Sequence, residues 1–206
     1  MLPSVGPSPT ITVPEGTPDA YDEDVPATEI PVDELVPTGT AVTGSWPAPT
    51  SAGDAIVVAF EDRTADPFAA ARGFVVWRRD EGADPPWRPA FGVMSRARDG
   101  VLAVQGSIDD ITGDDSPDAL MVERTGGVGN CGRWWVIDLS AADPIWRRSM
   151  CDAEVVAHRD PTGLEITATV YEPGDPHCCP SSIRTTVYAY RPPDGFVKVS
   201  EETTEL

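Results

Sequence analysis

The sequence predicts an all-β domain built from antiparallel hairpins, forming a small sandwich, an open barrel or a propeller-like meander, behind a disordered N-terminal tail. Three observations lead there. Helix signals are scarce. Short runs rich in β-branched and aromatic residues recur between Gly, Pro, Asp and Ser turns. The first 53 residues hold eight acids, no Lys or Arg and ten of the 22 prolines.

That leading segment, residues 1–53, has too little apolar surface to offset the entropy of ordering it, so it is expected to be a disordered acidic tail or stalk. Residues 54–206 are long enough to bury a core and form the single β-rich domain. They carry all four cysteines, both histidines and five of the six tryptophans. The net charge of −19 repels nucleic acid and anionic membrane surfaces, which makes both poor partners, and no nucleic-acid partner is expected. No run of 18 apolar residues offers a membrane span. The chain is expected to be a monomer with an envelope or extracellular partner that the sequence does not identify.

Eleven strands are expected in order: AIVVAFE (55–61), GFVVWRR (73–79), RPAFGVM (88–94), VLAVQG (101–106), ALMVE (119–123), RWWVIDL (133–139), IWRRSM (145–150), EVVAHR (154–159), LEITATVY (164–171), IRTTVYAY (183–190) and FVKVS (196–200). The one helix candidate is DPFAAAR, Asp66 to Arg72, with Asp66 placed to cap and Pro67 suited to the first helical position. Two segments share the turn Arg-x-x-Asp-Gly, around Gly100 and Gly195, and both are expected to close hairpins through a positive φ at the glycine. In the strand RWWVIDL, Trp134 and Trp135 occupy successive positions, so one is expected to face the core and the other outward.

The stretch SIDDITGDDSPDALMVE, Ser107 to Glu123, holds five aspartates in ten residues. Counted from Asp110, oxygen-bearing side chains fall at alternate positions: Asp110, Thr112, Asp114 and, further on, Asp118, with Ser116 offering a backbone carbonyl. A hard cation with six to eight oxygen ligands suits such a set, which makes calcium the expected cofactor. Position 12 is Met121 rather than Glu, and the flanks read as strands, so this is no EF-hand. The other reading is a hydrated acidic turn that holds no ion.

DITGDDSPDALMVE resembles the D-x-[TN]-G-D-G-x-x-D loop of FG-GAP and VCBS-type β repeats, which lies between two strands and binds calcium. The resemblance implies Asp110, Thr112, Asp114 and Asp118 as side-chain ligands and Ser116 as a carbonyl ligand. It covers about 15 residues. The family's second Gly, at the sharp turn, is Asp115 here.

Four cysteines suggest two bridges. If RWWVIDL and IWRRSM form a hairpin with Leu139 facing Asp143, Ile137 facing Ile145 and Trp135 facing Arg147, the register continues to Cys131 opposite Cys151, within disulfide reach. Cys178 and Cys179 are adjacent in DPHCCPSS and are left to bridge each other or to reach back to Cys131 and Cys151. Because adjacent side chains diverge, the triplet His177-Cys178-Cys179 is a weak zinc or copper candidate.

The phrase DPHCCPSSIRTTVYAYRPPDGFV resembles the C-terminal part of small actinobacterial secreted proteins and lipoproteins of the LppP/LprE group, whose likeness implies the cell envelope or extracellular space. The start MLPSVGPSPT has neither a basic region, an apolar region nor a lipidatable cysteine, so the export signal is not in the chain as it stands. There is no G-x-S-x-G elbow, H-E-x-x-H, P-loop or Rossmann glycine pattern. His158 and His177 read as surface residues. The expected function is therefore a non-enzymatic binding or structural module of the envelope with an unknown partner. The alternatives are a secreted hydrolase or enzyme accessory domain with a site assembled from distant residues, and a thiol- or metal-responsive protein using Cys178 and Cys179.

Overall fold

The computed structural model describes residues 13–63, 66, 69–126, 129–176 and 178–206. Its described residues form twelve antiparallel strands in three four-stranded sheets, with no α-helix and no closed barrel. The first sheet contains β1 (Thr40–Thr50), β2 (Gly53–Asp62), β3 (Arg72–Arg79) and β4 (Trp87–Ser95). The second contains β5 (Val101–Asp109), β6 (Asp118–Thr125), β7 (Gly132–Asp138) and β8 (Asp143–Met150). The third contains β9 (Ala153–Arg159), β10 (Thr162–Val170), β11 (Ser182–Arg191) and β12 (Gly195–Glu205). In every sheet the spatial order follows the chain, so each is a simple meander.

The sheets stack face to face, and the sequence shows why. A strand buried on both faces needs apolar residues at every position rather than at alternate ones. The run AIVVAF in β2 sends Ala55, Val57 and Ala59 toward the second sheet and Ile56, Val58 and Phe60 to the opposite side. In β6, Ala119 and Met121 face the first sheet while Leu120 and Val122 face the third. The same parity corrects the expectation for β7. Trp135 packs in the seam between the first and second sheets beside Phe74 and Phe91, and Trp134 in the seam between the second and third. Neither tryptophan is outward, because the second sheet has a neighbour on each face.

The outer face of the first sheet is covered by the segment expected to be a disordered tail, and the extent of that tail is corrected. Residues 1–12 lie outside the described residues, but residues 13–53 take defined positions on the domain, and β1 lies wholly within 1–53. Ala27, Ile30, Leu35 and Val36 pack against Ile56, Val58, Phe60, Val75, Trp77 and Trp87. The indole of Trp77 donates to Leu35 O at 2.9 Å and that of Trp87 to Val25 O at 3.1 Å. Tyr21 forms a β-bridge with Trp87, and Asp24 pairs with Arg79. All eight acids of the segment stay exposed while a few unevenly spaced apolar residues go in, so composition alone reads as disorder. The described part of that segment, residues 13–53, therefore belongs to the β domain rather than to a tail that ends at residue 53.

β1 contains Pro47 and Pro49, which cannot donate to a ladder. Two residues apart, their nitrogens point to the same side, and β1 is an edge strand paired only with β2, so both face away from it. The two Asp-Gly turns also part company. Gly195 (φ 75°) closes a true hairpin between β11 and β12, with Arg191 opposite it. Gly100 (φ 68°) has the same backbone but carries the chain from β4 to β5 in a different sheet, so the first hairpin is corrected to a crossover. Arg72, 6 % exposed, fastens that crossover by donating to Val101 O at 2.8 Å and pairing with Glu61. The helix expected over Asp66–Arg72 is not found among its described members, while Pro67 and Phe68 lie outside them. Ala69 N bonds Asp66 O in a single turn, and Arg72 is claimed by β3 through its pairing with both Glu61 and Ser95.

Candidate functional site

The acidic stretch connects β5 to β6 and folds back on its own backbone. Asp110 Oδ1 accepts from Gly113 N (2.6 Å) and Asp114 N (3.2 Å), and its Oδ2 accepts from Asp115 N (3.2 Å). Asp118, the first residue of β6, accepts on Oδ2 from Ile111 N and Thr112 N, both at 2.9 Å. Asp114 Oδ1 takes Ser116 N at 2.9 Å. Short carboxylate side chains bonding to nearby backbone N–H groups are what stabilises such turns. The path requires positive φ at Gly113 (76°) and at Asp115 (63°). Asp115 thus adopts the left-handed backbone that a glycine takes freely.

The loop is anchored on three sides. Ile111, fully buried, enters the core between the second and third sheets. Ser116, also buried, shares a hydroxyl hydrogen bond of 2.5 Å with Ser140 in the β7–β8 turn. Gly113 lies against Thr162 at the start of β10, where an added Cβ would come within 3.3 Å of that side chain.

The sheet register adds acids that are distant in sequence. Asp109, Asp118, Asp138 and Asp143 stand opposite one another across β5, β6, β7 and β8, forming one row at the loop end of the second sheet. Asp138 Oδ1 caps the following turn by accepting from Ser140 N and Ala141 N. Asp118 is 1 % exposed, and burial pushes its carboxyl up to about 6, reinforced by the Asp138 charge and opposed by the hydrogen bonds from Thr112 and Ile111. Tyr190, reaching over from β11, has its phenol pushed up by burial and by Asp138, Asp118 and Asp114. Asp138 and Tyr190 carried no signal in the sequence, because only the register and the stacking bring them here.

The five sequence-predicted residues, Asp110, Thr112, Asp114, Ser116 and Asp118, therefore lie in one compact turn. Among the described residues, however, no three His, Cys, Asp or Glu side chains converge as a metal cluster. The reason is visible in the bonding: Asp110 spends both oxygens on backbone N–H groups. Thr112 Oγ1 is shut from solvent with no well-formed hydrogen bond, although it lies near enough to Asp118 to help hold that carboxylate's charge.

Cys131 and Cys151 are joined in a disulfide. The register reaches it as expected in the middle of the hairpin, with Trp135 opposite Arg147 and Gly132 opposite Met150. Nearer the turn it differs, since an irregularity between Val136 and Ile137 puts Asp138, not Leu139, opposite Asp143. Cys178 and Cys179 are exposed free thiols. His177 lies outside the described residues, and His158 bonds Pro161 O at 2.9 Å in the β9–β10 turn.

A cleft of about 360 Å³ opens between the second and third sheets, with Gln105, Ser107, Arg124 and Glu154 as polar lining above Trp134 and Val122. Arg124 stacks over the Trp134 ring at 4.6 Å and pairs with Glu154 at 2.7 Å. Its lining includes no histidine or cysteine, so it offers no nucleophile with an imidazole base beside it. No protein family, no curated protein and no solved structure matches this chain, so its geometry alone carries the functional reading.

Proposed function

We propose that the protein is an exported binding module of the cell envelope, non-enzymatic, whose β5–β6 loop takes up calcium. The observation that carries this reading is the arrangement of Asp110, Thr112, Asp114 and Asp118 in one strand–turn–strand loop with left-handed backbone at positions 113 and 115. The donor set fits a hard cation. Every candidate group is oxygen, and the Thr112 hydroxyl is a shielded acceptor without a well-formed partner. Asp114 and Asp118 each use one carboxylate oxygen on backbone N–H groups, leaving the second for an ion. A bound cation would neutralise the Asp118–Asp138 repulsion and draw the Asp110 carboxylate away from part of its backbone bonding. The Cys131–Cys151 bridge is consistent with an oxidising compartment, where such bonds persist.

The test is a calorimetric calcium titration of the chelator-stripped full chain beside Asp114→Ala. The expected dissociation constant is on the order of 10⁻⁴ to 10⁻³ M, as for extracellular modules, and is lost in the variant. No heat, together with no calcium-dependent shift of Tm, would reduce the loop to a self-bonded acidic turn.

A further inference from the structure

The loop from β10 to β11 holds a second chemistry, independent of the calcium reading. Adjacent side chains ordinarily diverge, yet Cys178 Sγ and Cys179 Sγ lie 2.8 Å apart, and both residues are exposed. Described residues on both sides of the pair are held by hydrogen bonds. Asp175 Oδ2 accepts from Glu172 N (2.7 Å), Ser181 N (3.1 Å) and Ser181 Oγ (2.6 Å), and Cys179 N bonds Pro176 O at 2.9 Å. The other two cysteines are already joined to each other, so this pair has no third protein thiol to react with.

We infer that Cys178 and Cys179 form a vicinal dithiol site for thiol–disulfide exchange with low-molecular-weight disulfides of the glutathione type. Exchange proceeds by attack of a thiolate on a disulfide sulfur. The Cys178 thiolate attacks one sulfur of R–S–S–R, forming Cys178–S–S–R and expelling RS⁻, which takes up the proton that Cys178 lost. The Cys179 thiolate then attacks the Cys178 sulfur, closing the Cys178–Cys179 bond and expelling the second RS⁻, which takes up the Cys179 proton. The protein gives up two hydrogens and is oxidised by two electrons, and the small disulfide is reduced to two thiols. The neighbouring Cys178 sulfur, then burial, then the Asp175 charge raise the Cys179 thiol, and Cys179 is accordingly assigned the second, ring-closing attack. The short sulfur–sulfur distance is what makes the second step intramolecular.

The full chain, treated with a phosphine at a level that leaves Cys131–Cys151 intact, is exposed to oxidised glutathione, alkylated, and mapped by mass spectrometry. The expected result is that the two alkylatable thiols fall to none, with no glutathione retained and a Cys178–Cys179 linkage in one peptide. The Cys179→Ser variant, unable to close the ring, is expected to retain one glutathione on Cys178. Wild-type protein that keeps glutathione on both cysteines, stays fully alkylatable, or cross-links either residue to Cys131 or Cys151 would overturn the assignment.

Discussion

Asp118 and Asp138 face each other across β6 and β7, and the buried one of the pair, Asp118, holds its proton to a pH of about 6. Folding raises this carboxyl above its ordinary value of 3.8, so its contribution runs opposite to that of a salt-bridged acid. Below pH 4 it is protonated in both folded and unfolded chains and costs nothing. As pH climbs from about 4 to about 6 the unfolded chain ionises first, and stability falls through that window and then levels. In chelator, Asp118→Asn should remove this slope and be the more stable protein at pH 7, by on the order of 1–3 kcal/mol. Urea melts of both proteins from pH 4 to 8 check it; parallel stability curves would show that Asp118 ionises like an ordinary surface acid.

Asp115 occupies the left-handed region at φ 63° with its side chain exposed. Asp115→Gly should therefore stabilise the chelator-treated protein by up to about 1 kcal/mol, while Asp115→Val, β-branched, should destabilise it by more than that. Thermal denaturation of the two variants reads the difference, and equal Tm values would mean that the turn relaxes at no cost.

Removing residues 1–53 would strip β1 and the cover from the outer face of the first sheet. Ile56, Val58, Phe60, Trp77 and Trp87 would then meet water, at roughly 1.5–3 kcal/mol for each large side chain uncovered. A chain of residues 54–206 is expected to be aggregated or unfolded, whereas the full chain is soluble and melts cooperatively. Size-exclusion chromatography and circular dichroism distinguish the two; a soluble, cooperatively melting 54–206 fragment would contradict the packing.

The Cys131–Cys151 bridge spans 20 residues of sequence across the β7–β8 hairpin. A loop of that length confines the unfolded chain by about 3 kcal/mol in the chain-entropy account. The double variant Cys131→Ser/Cys151→Ser should lose about that much stability in denaturant titration, with little change in the calcium titration because the bridge lies at the opposite end of β7 from the acidic loop.

Much of the fold was legible in the sequence because stacked sheets impose strong local patterns. Eleven of the twelve strands lie where apolar and β-branched runs place them. The missing one, β1, hid behind Pro47 and Pro49, which argue against a strand unless one already knows it is an edge. The cover at Ala27–Val36 escaped for a related reason: Ile30, Leu35 and Val36 follow no helix or strand period, and their partners are tryptophan indoles some 40 to 60 residues away, such as Trp77 on Leu35 O at a separation of 42. At the acidic loop, spacing found the five local oxygen donors. It had no means of finding Asp138 or Tyr190, which arrive through strand register and sheet stacking.

Each sheet pairs only strands consecutive in the chain, and this has a consequence for biogenesis. A chain that emerges N-terminus first can finish the first sheet once Ser95 is out, without waiting for any later strand. Its inner face, carrying Val57, Phe74 and Phe91, then stays uncovered until the second sheet follows, and the second sheet's Leu120, Val122 and Trp134 wait in turn for the third. Exposed apolar sheet faces of this kind are where nascent chains aggregate. The early ordering of the N-terminal segment over the opposite face halves that hazard: from the moment the first sheet forms, only one of its sides is left for a chaperone to shield.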